Sequence, residues 1–231
     1  MSLTPELVAL CYRKEEDRGI GDRWTPLTGV EQDAIARRLF DECGEEPLWV
    51  FGYGSLIWKP TFAPAARQRA TALGWHRSFC MELPTWRGTP EQPGLMMALD
   101  RGGRCDGMAF RISDEDRFGE LSRMVRREIV LREDTDMVRW IKVQTEAGKL
   151  RALVFWAGPK DGDGIVLKLP LERVAWILAR ACGYAGSGAE YLYNTVSHLE
   201  ALGIRDRNLW RLQHLVAEEI VRIHKTPSAG A

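Results

Sequence analysis

One amphipathic segment, Glu115 to Leu131, constrains the fold more than any other part of this chain. At roughly 100° per residue on a helical wheel, its apolar side chains fall on a single arc, namely Phe118, Leu121, Met124, Val125 and Ile129. Glu120 and several arginines fall on or toward the opposite side. The segment therefore predicts a helix that packs its apolar arc against a hydrophobic core.

Glu128 interrupts this pattern, because it lies in the middle of the apolar arc, one turn beyond Met124 and Val125. A carboxylate that faces a core loses hydration, so its pKa rises, by up to ~3–5 for full burial. Such a group suits general acid–base catalysis near neutral pH. The alternative is a structural glutamate that pairs with a buried arginine or with backbone N–H groups.

Composition and charge narrow the classes of protein that this chain can belong to. Its 231 residues suffice for one large domain or two small ones, and 45% hydrophobic residues are typical of a globular protein with a substantial core. A formal net charge of zero removes the electrostatic footprint of a nucleic-acid binder. The first residues do not form a signal-peptide pattern, and the longest charge-free stretch, Pro47 to Trp58, is too short for a membrane span. We therefore expect a cytoplasmic protein without a nucleic-acid or membrane partner.

The cysteines and histidines do not have the spacing of a metal site. The cysteines are odd in number, widely spaced and without a Cys-x-x-Cys motif, which favours reduced apolar side chains over a disulfide framework or a zinc site. They are Cys11, Cys43, Cys80, Cys105 and Cys182. The histidines form no His-x-x-x-His pair. We therefore expect no bound metal.

Strand patterns are concentrated in the middle of the chain, where apolar residues alternate or run together between turns. The predicted strands are Leu48–Phe51, Trp75–Leu83, Leu95–Leu99, Met108–Ile112, Met137–Thr145 and Lys149–Trp156. Apart from the segment that carries Glu128, helical patterns occupy the two ends. Residues 1–46 look helical, and Thr28 to Glu31 indicates a capping box that opens a helix through about Cys43.

The C-terminal part is also helical, with amphipathic stretches at Leu171–Ala181 and Leu209–Ile223. Because strands are mostly consecutive and helices are segregated, the fold class is α+β. We predict an N-terminal helical extension over residues 1–46, one domain over 47–224 and a flexible tail over 225–231.

A glycine-containing loop follows the first strand, with the sequence Phe51-Gly52-Tyr53-Gly54-Ser55-Leu56. It lacks the third glycine of a dinucleotide fingerprint, the Gly-Lys-Ser/Thr of a P-loop and the second glycine of a nucleophile elbow. Glycines permit positive φ and close backbone approach, so successive N–H groups could form a nest for a carboxylate. The alternative is a tight turn at the end of a strand.

A polar loop, Trp86 to Gly94, separates two apolar strand candidates and contains Arg87. A guanidinium there could pair with a substrate carboxylate. Equally, Arg87 could be solvated or could tie down the loop.

Six segments, taken in order, resemble the ChaC branch of the γ-glutamylcyclotransferases: FGYGSLIWKP, GWHRSFC, RGTPEQPG, DGMAFRI, RREIV and the EYL at Glu190–Leu192. The resemblance runs from about Trp49 to Leu202, and GYGSL followed by GWHR is quite specific. It implies a small mixed β-barrel with helices packed around it, which agrees with the α+β class. It assigns residues 47–224 to a γ-glutamylcyclotransferase-like domain, and residues 1–46 resemble the helical extension of bacterial members.

The resemblance implies that the chain cleaves glutathione to 5-oxoproline and cysteinylglycine. The general base of the family lies at the end of the helix that follows the strand matching DGMAFRI, which makes it Glu128 here. The family's YGSL loop lines the substrate cavity, and this role transfers to Tyr53, Gly54, Ser55 and Leu56.

The reaction itself is an intramolecular attack of the α-amine on the γ-glutamyl carbonyl, so it needs no covalent enzyme intermediate, metal or cofactor. We expect the backbone N–H groups around Gly54 and Ser55 to hold the α-carboxylate. The same loop, or the hydroxyl of Tyr53 or Tyr191, would stabilise the oxyanion. Glutathione is the partner that this implies, and no obligatory protein partner is evident.

Two positions depart from the family pattern. The family usually has a Gly-x-Tyr turn shortly after the catalytic glutamate, where this chain has Leu131-Arg132-Glu133-Asp134. It also usually has an asparagine just before the EYL-like segment, where this chain has Gly188-Ala189. These departures affect the expected identity of the substrate more than the expected reaction.

Three alternatives stay open from the sequence. The substrate could be another γ-glutamyl amide or a γ-glutamyl amino acid. The chain could be a non-catalytic binding protein that regulates transport. It could also be a hydrolase with Ser55 or a cysteine as nucleophile, although neither lies in a recognised nucleophile motif.

Overall fold

A computed structural model describes residues 1–21, 24–159 and 168–225 of the protein. The α-helices in these ranges are α1 Pro5–Ala9, α2 Gly29–Cys43, α3 Ser55–Trp58, α4 Arg117–Glu128, α5 Leu171–Leu178, α6 Gly188–Ala201 and α7 Arg207–His224, and Arg132–Asp134 forms a short 3-10 helix. The strands are β1 Trp49–Gly52, β2 Pro64–Leu83, β3 Gly94–Ile112, β4 Val138–Thr145, β5 Gly148–Phe155, β6 Cys182–Gly183 and β7 Gly186–Ser187.

Five of the strands close into a barrel in the order β1-β3-β2-β4-β5. Strand β1 pairs antiparallel with β3, Phe51 opposite Ala109, and parallel with β5, Val50 opposite Leu153. Strands β4 and β5 form an antiparallel hairpin that ends with Thr145 opposite Gly148. The barrel is therefore mixed, and the predicted α+β class with a small mixed barrel and helices is confirmed.

The chain forms two compact units. The first, called here the barrel unit, consists of Ile20–Ser78 and Met97–Val166, and it contains α2, α3 and α4, with α2 packed on α4. The second, called the helical unit, consists of Met1–Gly19, Phe79–Met96 and Leu167–Ala231. In the helical unit, α7 packs on α5, α6 and α1, and β6 and β7 form a short hairpin.

Helix α2 begins where its sequence predicts. The Thr28 hydroxyl accepts a hydrogen bond from the N–H of Glu31 at 3.3 Å, and the Glu31 carboxylate accepts one from the N–H of Thr28 at 2.8 Å. These two bonds make the reciprocal capping box, which satisfies N–H groups that a helix start otherwise leaves open. The helix continues to Cys43.

Other predicted helices differ from the observed ones in their extent. Helix α4 is shorter than predicted: it starts after the Asp116 cap and ends at Glu128, so Ile129 is buried but no longer helical. The prediction that residues 1–46 look helical holds only for α1 and α2 among the described residues. The proposed domain bounds stay a prediction, and all of the proposed tail except Lys225 lies outside the described residues.

The strands are longer than their hydrophobic patterns. Leu95–Leu99 and Met108–Ile112, predicted as two strands, belong to the single strand β3. Its exposed middle, from Arg101 to Arg104, carries no alternating pattern, and Gly102 and Gly103 have positive φ. Hydrogen bonds from neighbouring strands, rather than local hydrophobicity, maintain the strand there.

Candidate active site

The glycine loop connects β1 directly to the one-turn helix α3. Gly54 precedes α3, and the first backbone hydrogen bond of the turn runs from the N–H of Ile57 to the carbonyl of Gly54 at 2.9 Å. Ser55 and Leu56 come before Ile57 in the chain, so their N–H groups belong to the first turn of the helix. N–H groups in a first turn have no hydrogen-bond acceptor within the helix. Tyr53, Gly54 and Leu56 are buried, and Ser55 is half-buried.

Gly52, at the end of β1, allows close packing of two strands rather than a positive φ. Neither Gly52 nor Gly54 has a positive φ. A Cβ at Gly52 would lie 2.7 Å from Cε2 of Phe110 on β3, and a Cβ at Gly107 would lie 2.5 Å from the carbonyl oxygen of Gly52. Both distances are shorter than carbon contacts allow, so β1 and β3 meet here only because both residues are glycine.

Arg77 of β2 fixes the main chain of the same loop. Its Nε donates to the carbonyl oxygen of Tyr53 at 2.6 Å, and its Nη2 donates to the carbonyl oxygen of Asp106 on β3. The residue is only 5% exposed, which is unusual for an arginine. Arg77 was not among the predicted site residues.

Glu128 is the last residue of α4, and most of its side chain is buried, with 20% exposed. The carboxylate oxygen Oε1 is inaccessible to solvent and receives no hydrogen bond from any residue in the described ranges. Arg127 Nε lies 3.2 Å from Oε1, which makes an ion pair but lacks the geometry of a hydrogen bond. Burial raises the pKa of Glu128, and the Arg127 charge opposes this rise only in part.

Contacts from α2 and α3 hold the end of α4 in place. The Asp33 carboxylate of α2 accepts hydrogen bonds from Arg126 at 2.8 Å and from the Ser122 hydroxyl at 2.8 Å. The Gln32 amide donates to the carbonyl of Ile129 at 2.8 Å. Arg127 donates to the carbonyl of Lys59, directly after α3. One arginine side chain therefore contacts both Glu128 and the residue that caps the C-terminus of α3.

Arg87 and Tyr191 lie together in the helical unit. Arg87 Nη1 donates to the carbonyl of Ser187 at 2.8 Å and to the Glu190 carboxylate at 2.9 Å. The Arg87 guanidinium lies 5.2 Å from the centre of the Tyr191 ring, which also packs edge-on against Phe79. In this structure Arg87 ties its loop to the start of α6, and its pairing with a substrate carboxylate stays a prediction.

Two surface clefts of about 550 and 570 Å³ also lie in the barrel unit. The first lies between α2 and α4 and is lined by Asp33, Arg37, Phe118, Gly119, Ser122, Arg123 and Arg126. Neither is lined by Glu128 or the loop from Tyr53 to Leu56. Several arginines that line the two clefts are paired with carboxylates, as Arg126 is with Asp33 and Arg123 with Glu120. The buried Glu128 is therefore the better candidate for a catalytic group.

Within the described ranges, no three His, Cys, Asp or Glu side chains are grouped closely enough to share a metal ion. In the same ranges, no helix combines the length and the apolar character that a membrane crossing requires.

The chain belongs to the ChaC-like protein family, whose family model matches residues 48–219. The glutathione-specific γ-glutamylcyclotransferase of Escherichia coli (strain K12) is 35% identical over 186 residues, which cover 79% of each chain. The human glutathione-specific γ-glutamylcyclotransferase 1 is 28% identical, covering 84% of this chain and 86% of the human protein. The crystal structure of a yeast γ-glutamyl cyclotransferase specific to glutathione has the same fold, with a TM-score of 0.65 at 22% identity over 74% of this chain and 96% of the yeast chain.

The sequence did contain a signal for Arg77. Trp75, Arg77 and Phe79 occupy alternate positions of one strand, so all three side chains point to the same face. All three side chains are buried. It interrupts an apolar strand face as Glu128 interrupts an apolar helix face.

Proposed function

We propose that this protein is a γ-glutamylcyclotransferase that converts glutathione to 5-oxoproline and cysteinylglycine, with Glu128 as general acid and base. The observation that carries the proposal is the buried Glu128 carboxylate with its raised pKa at the end of α4, in a chain of the ChaC-like family. The E. coli and human relatives, by their names, act specifically on glutathione.

The proposed reaction is redox-neutral and consumes no water. The α-amine of the γ-glutamyl unit forms a bond to the γ-carbonyl carbon and closes a five-membered lactam. The bond between that carbon and the cysteine nitrogen breaks. The attacking nitrogen changes from an ammonium to a lactam N–H and loses two protons, and the leaving nitrogen changes from an amide N–H to an ammonium and gains two. Because the nucleophile belongs to the substrate, correct folding of the substrate replaces an encounter between two molecules, an effect of ~10⁵–10⁸ M in effective concentration.

Glu128 supports the proposed proton transfer for two reasons. An ammonium cannot attack until a base removes its proton, and a carboxylate with a raised pKa is a stronger base than an ordinary glutamate. Its oxygen Oε1 also receives no hydrogen bond from the described residues, so it is not committed to a structural donor. After deprotonating the amine, the same group would return the proton to the leaving nitrogen.

The loop that begins α3 supports the binding part of the proposal. The N–H groups of Gly54, Ser55 and Leu56 lie at or before the open start of the turn, and a cluster of main-chain N–H groups suits the substrate α-carboxylate. The Tyr53 and Tyr191 hydroxyls stay candidate donors to the oxyanion. Arg87 stays a candidate partner of a substrate carboxylate.

The first experiment is to incubate the purified protein with glutathione, without added metal or ATP, and to identify the products. We expect 5-oxoproline and cysteinylglycine in equal amounts. Glutamate in place of 5-oxoproline would mean hydrolysis and would contradict the proposal. Small γ-glutamyl amides and γ-glutamylalanine, assayed in parallel, would reveal a different substrate preference.

Glu128→Gln should lower kcat by about 10² or more, because it removes the proton acceptor while keeping the size of the side chain. Glu120→Gln is the matched control: Glu120 lies on the same helix, its side chain is 18% exposed, and it is paired with Arg123 at 2.9 Å. It should retain activity. A fully active Glu128→Gln would refute the role of Glu128.

Ser55→Ala tests the hydrolase alternative. In the described part of the chain, no imidazole or carboxylate forms a hydrogen bond with the Ser55 hydroxyl, so Ser55 lacks the base that an activated serine requires. We expect its loss to leave the reaction type unchanged. A stable but inactive variant would restore Ser55 as a nucleophile.

A cytoplasmic location is part of the same proposal. All five cysteines are buried, and Cys11, Cys43 and Cys182 donate their thiol hydrogens to main-chain carbonyls, which suits a reducing compartment.

A further inference from the structure

We propose that Arg77 is a positioning residue for the reaction: by binding the Tyr53 carbonyl, it directs the Gly54 N–H toward the substrate α-carboxylate. The inference rests on the proposed function, because it assumes that a γ-glutamyl α-carboxylate binds at the loop between β1 and α3. It goes beyond that function because Arg77 acts through the main chain.

The first step of the argument is the peptide plane between Tyr53 and Gly54. The carbonyl of Tyr53 and the N–H of Gly54 belong to one planar trans peptide, in which the C=O and N–H bonds point in opposite directions. Arg77 Nε holds that carbonyl oxygen at 2.6 Å. The Gly54 N–H must therefore point away from Arg77, and rotation of this plane would break the Arg77 hydrogen bond.

The second step is the strength of the hydrogen bond. A guanidinium donating to a carbonyl makes a charge-assisted bond, which is roughly twice as strong as a neutral one. It also polarises the peptide, so the N–H at its other end becomes a better donor. Arg77 therefore affects both the direction and the donor strength of the Gly54 N–H, without itself contacting the substrate.

The third step is that Arg77 is itself held rigidly. Its Nη2 donates to the carbonyl of Asp106 on β3. The next residue, Gly107, has no side chain, which lets the Gly52 carbonyl approach. The Asp106 carboxylate accepts a hydrogen bond from the Thr71 hydroxyl at 2.6 Å. Burial alone would raise the pKa of Asp106, but the Thr71 and Arg104 hydrogen bonds and the Arg77 charge together lower it. Asp106 is therefore a carboxylate at neutral pH; it is paired with Arg104 at 2.9 Å and also attracts the charge of Arg77.

The fourth step is the cost of this arrangement. Removing a charged side chain from water is unfavourable, and a buried ionic group is often replaceable by apolar residues without loss of stability. An arginine that is 5% exposed and binds two main-chain carbonyls is thus poorly explained by stability alone. Control of the loop that begins α3 explains both its burial and its bond to the Tyr53 carbonyl.

The test compares Arg77→Lys and Arg77→Met with the wild type in steady-state kinetics on glutathione. Binding of the α-carboxylate is equal in the ground state and the transition state, so its loss raises KM and leaves kcat nearly unchanged. We expect KM to rise roughly 10-fold for Arg77→Lys, which keeps a charge that can reach one carbonyl, and more for Arg77→Met. A fall in kcat with an unchanged KM would overturn the inference, because it would indicate a loss of folded enzyme.

A binding measurement tests the carboxylate directly and does not require turnover. The product 5-oxoproline retains the α-carboxylate, whereas its amide lacks the charge. Calorimetry should show that the wild type prefers 5-oxoproline to the amide and that both Arg77 variants lose most of this preference. An unchanged preference in the variants would overturn the inference.

Thr145→Val is the matched structural control. It removes a 2.8 Å hydrogen bond from the Thr145 hydroxyl to the Gly148 carbonyl, at a buried position of the same barrel. It should lower stability without changing KM or the ligand preference. A similar rise in KM in this variant would show that general destabilisation of the barrel explains the effect.

The wild type supplies a measurement that no folding defect can affect. In protein labelled with ¹⁵N-glycine, the Gly54 amide resonance, identified by its absence in Gly54→Ala, should move when 5-oxoproline is added. A resonance that stays in place at saturation overturns the inference while leaving the proposed function intact. If the wild type neither turns over glutathione nor binds 5-oxoproline, the proposed function fails, and the inference fails with it.

Discussion

Replacing Glu128 with glutamine should make the stability of the protein less sensitive to pH, in a direction that the buried carboxylate determines. In the folded protein, burial raises the pKa of Glu128 above the value of 4.5 that an unperturbed glutamate has. Between these two values the folded state holds a proton that the unfolded state has released. The wild type therefore loses stability as pH rises through this window, and the full cost is present above the folded-state pKa.

The magnitude follows from the difference between the two pKa values. Each unit of difference corresponds to about 1.4 kcal/mol of unfolding free energy, or roughly 3–5 °C in Tm for a chain of this length. The glutamine variant avoids this cost but loses the ion pair with Arg127. That pair is partly exposed, at 27% and 20%, so it contributes only about 0–1 kcal/mol. We expect nearly equal stabilities at pH 4 and a more stable variant at pH 8.

The assay is urea denaturation of the wild type, Glu128→Gln and Glu120→Gln at several pH values from 4 to 8. Subtracting the wild-type curve from each variant removes the contributions of all other titrating groups. In parallel, kcat/KM of the wild type should rise with pH through the same folded-state pKa, because only the carboxylate form accepts a proton. The midpoint of the stability difference and the midpoint of the kinetic limb should coincide.

Two results would refute this reasoning. A stability difference between wild type and Glu128→Gln that does not change with pH would mean that the pKa of Glu128 is not displaced by folding. A wild type that is more stable than the variant at pH 8 would mean that its carboxylate has a strong structural partner.

Three further predictions follow from individual contacts. Gly107→Ala should destabilise the protein by about 1–3 kcal/mol in urea denaturation, because its Cβ would lie 2.5 Å from the fixed Gly52 carbonyl; an unchanged midpoint would show that β1 and β3 can separate freely. Arg87→Met and Glu190→Gln both break the 2.9 Å ion pair in the helical unit. If Arg87 binds a substrate carboxylate, only Arg87→Met should raise KM for glutathione. Similar kinetics in both variants would mean that Arg87 only ties its loop to the start of α6. Cys11 should react slowly with iodoacetamide at pH 8 in the native protein, because burial raises the pKa of its thiol to about 11, and rapid alkylation would contradict this.

The parts of the structure that were predictable from sequence depend on neighbours within one or two turns. The start of α2 was predictable because Thr28 and Glu31 cap each other across three residues. The buried arc of α4 was predictable because helical periodicity places Leu121, Met124 and Val125 on one face. The same periodicity indicated the burial of Glu128, since a side chain in the middle of this arc points to the same side as its buried neighbours.

The strand boundaries were less predictable because they depend on pairing. Strand β3 continues through Arg101–Arg104, where the sequence is polar and contains two glycines, because adjacent strands supply its hydrogen bonds. Helix α4 ends at Glu128, although the apolar pattern continues, and the carbonyl of Ile129 instead accepts a hydrogen bond from Gln32 of α2. Local propensity carries no information about either partner.

The sequence by itself thus determined the α+β class, the helix that carries Glu128 and the position of the glycine loop. Only the tertiary structure decided what Arg77 and Arg87 contact: Arg77 binds the carbonyl of a residue 24 positions away, and Arg87 binds a carboxylate 103 positions away. The physical reason is clearest for Arg77, which donates to two main-chain carbonyls. Every residue has such a carbonyl, so no residue type marks the acceptor, and only the closed barrel brings Tyr53, Arg77 and Asp106 together.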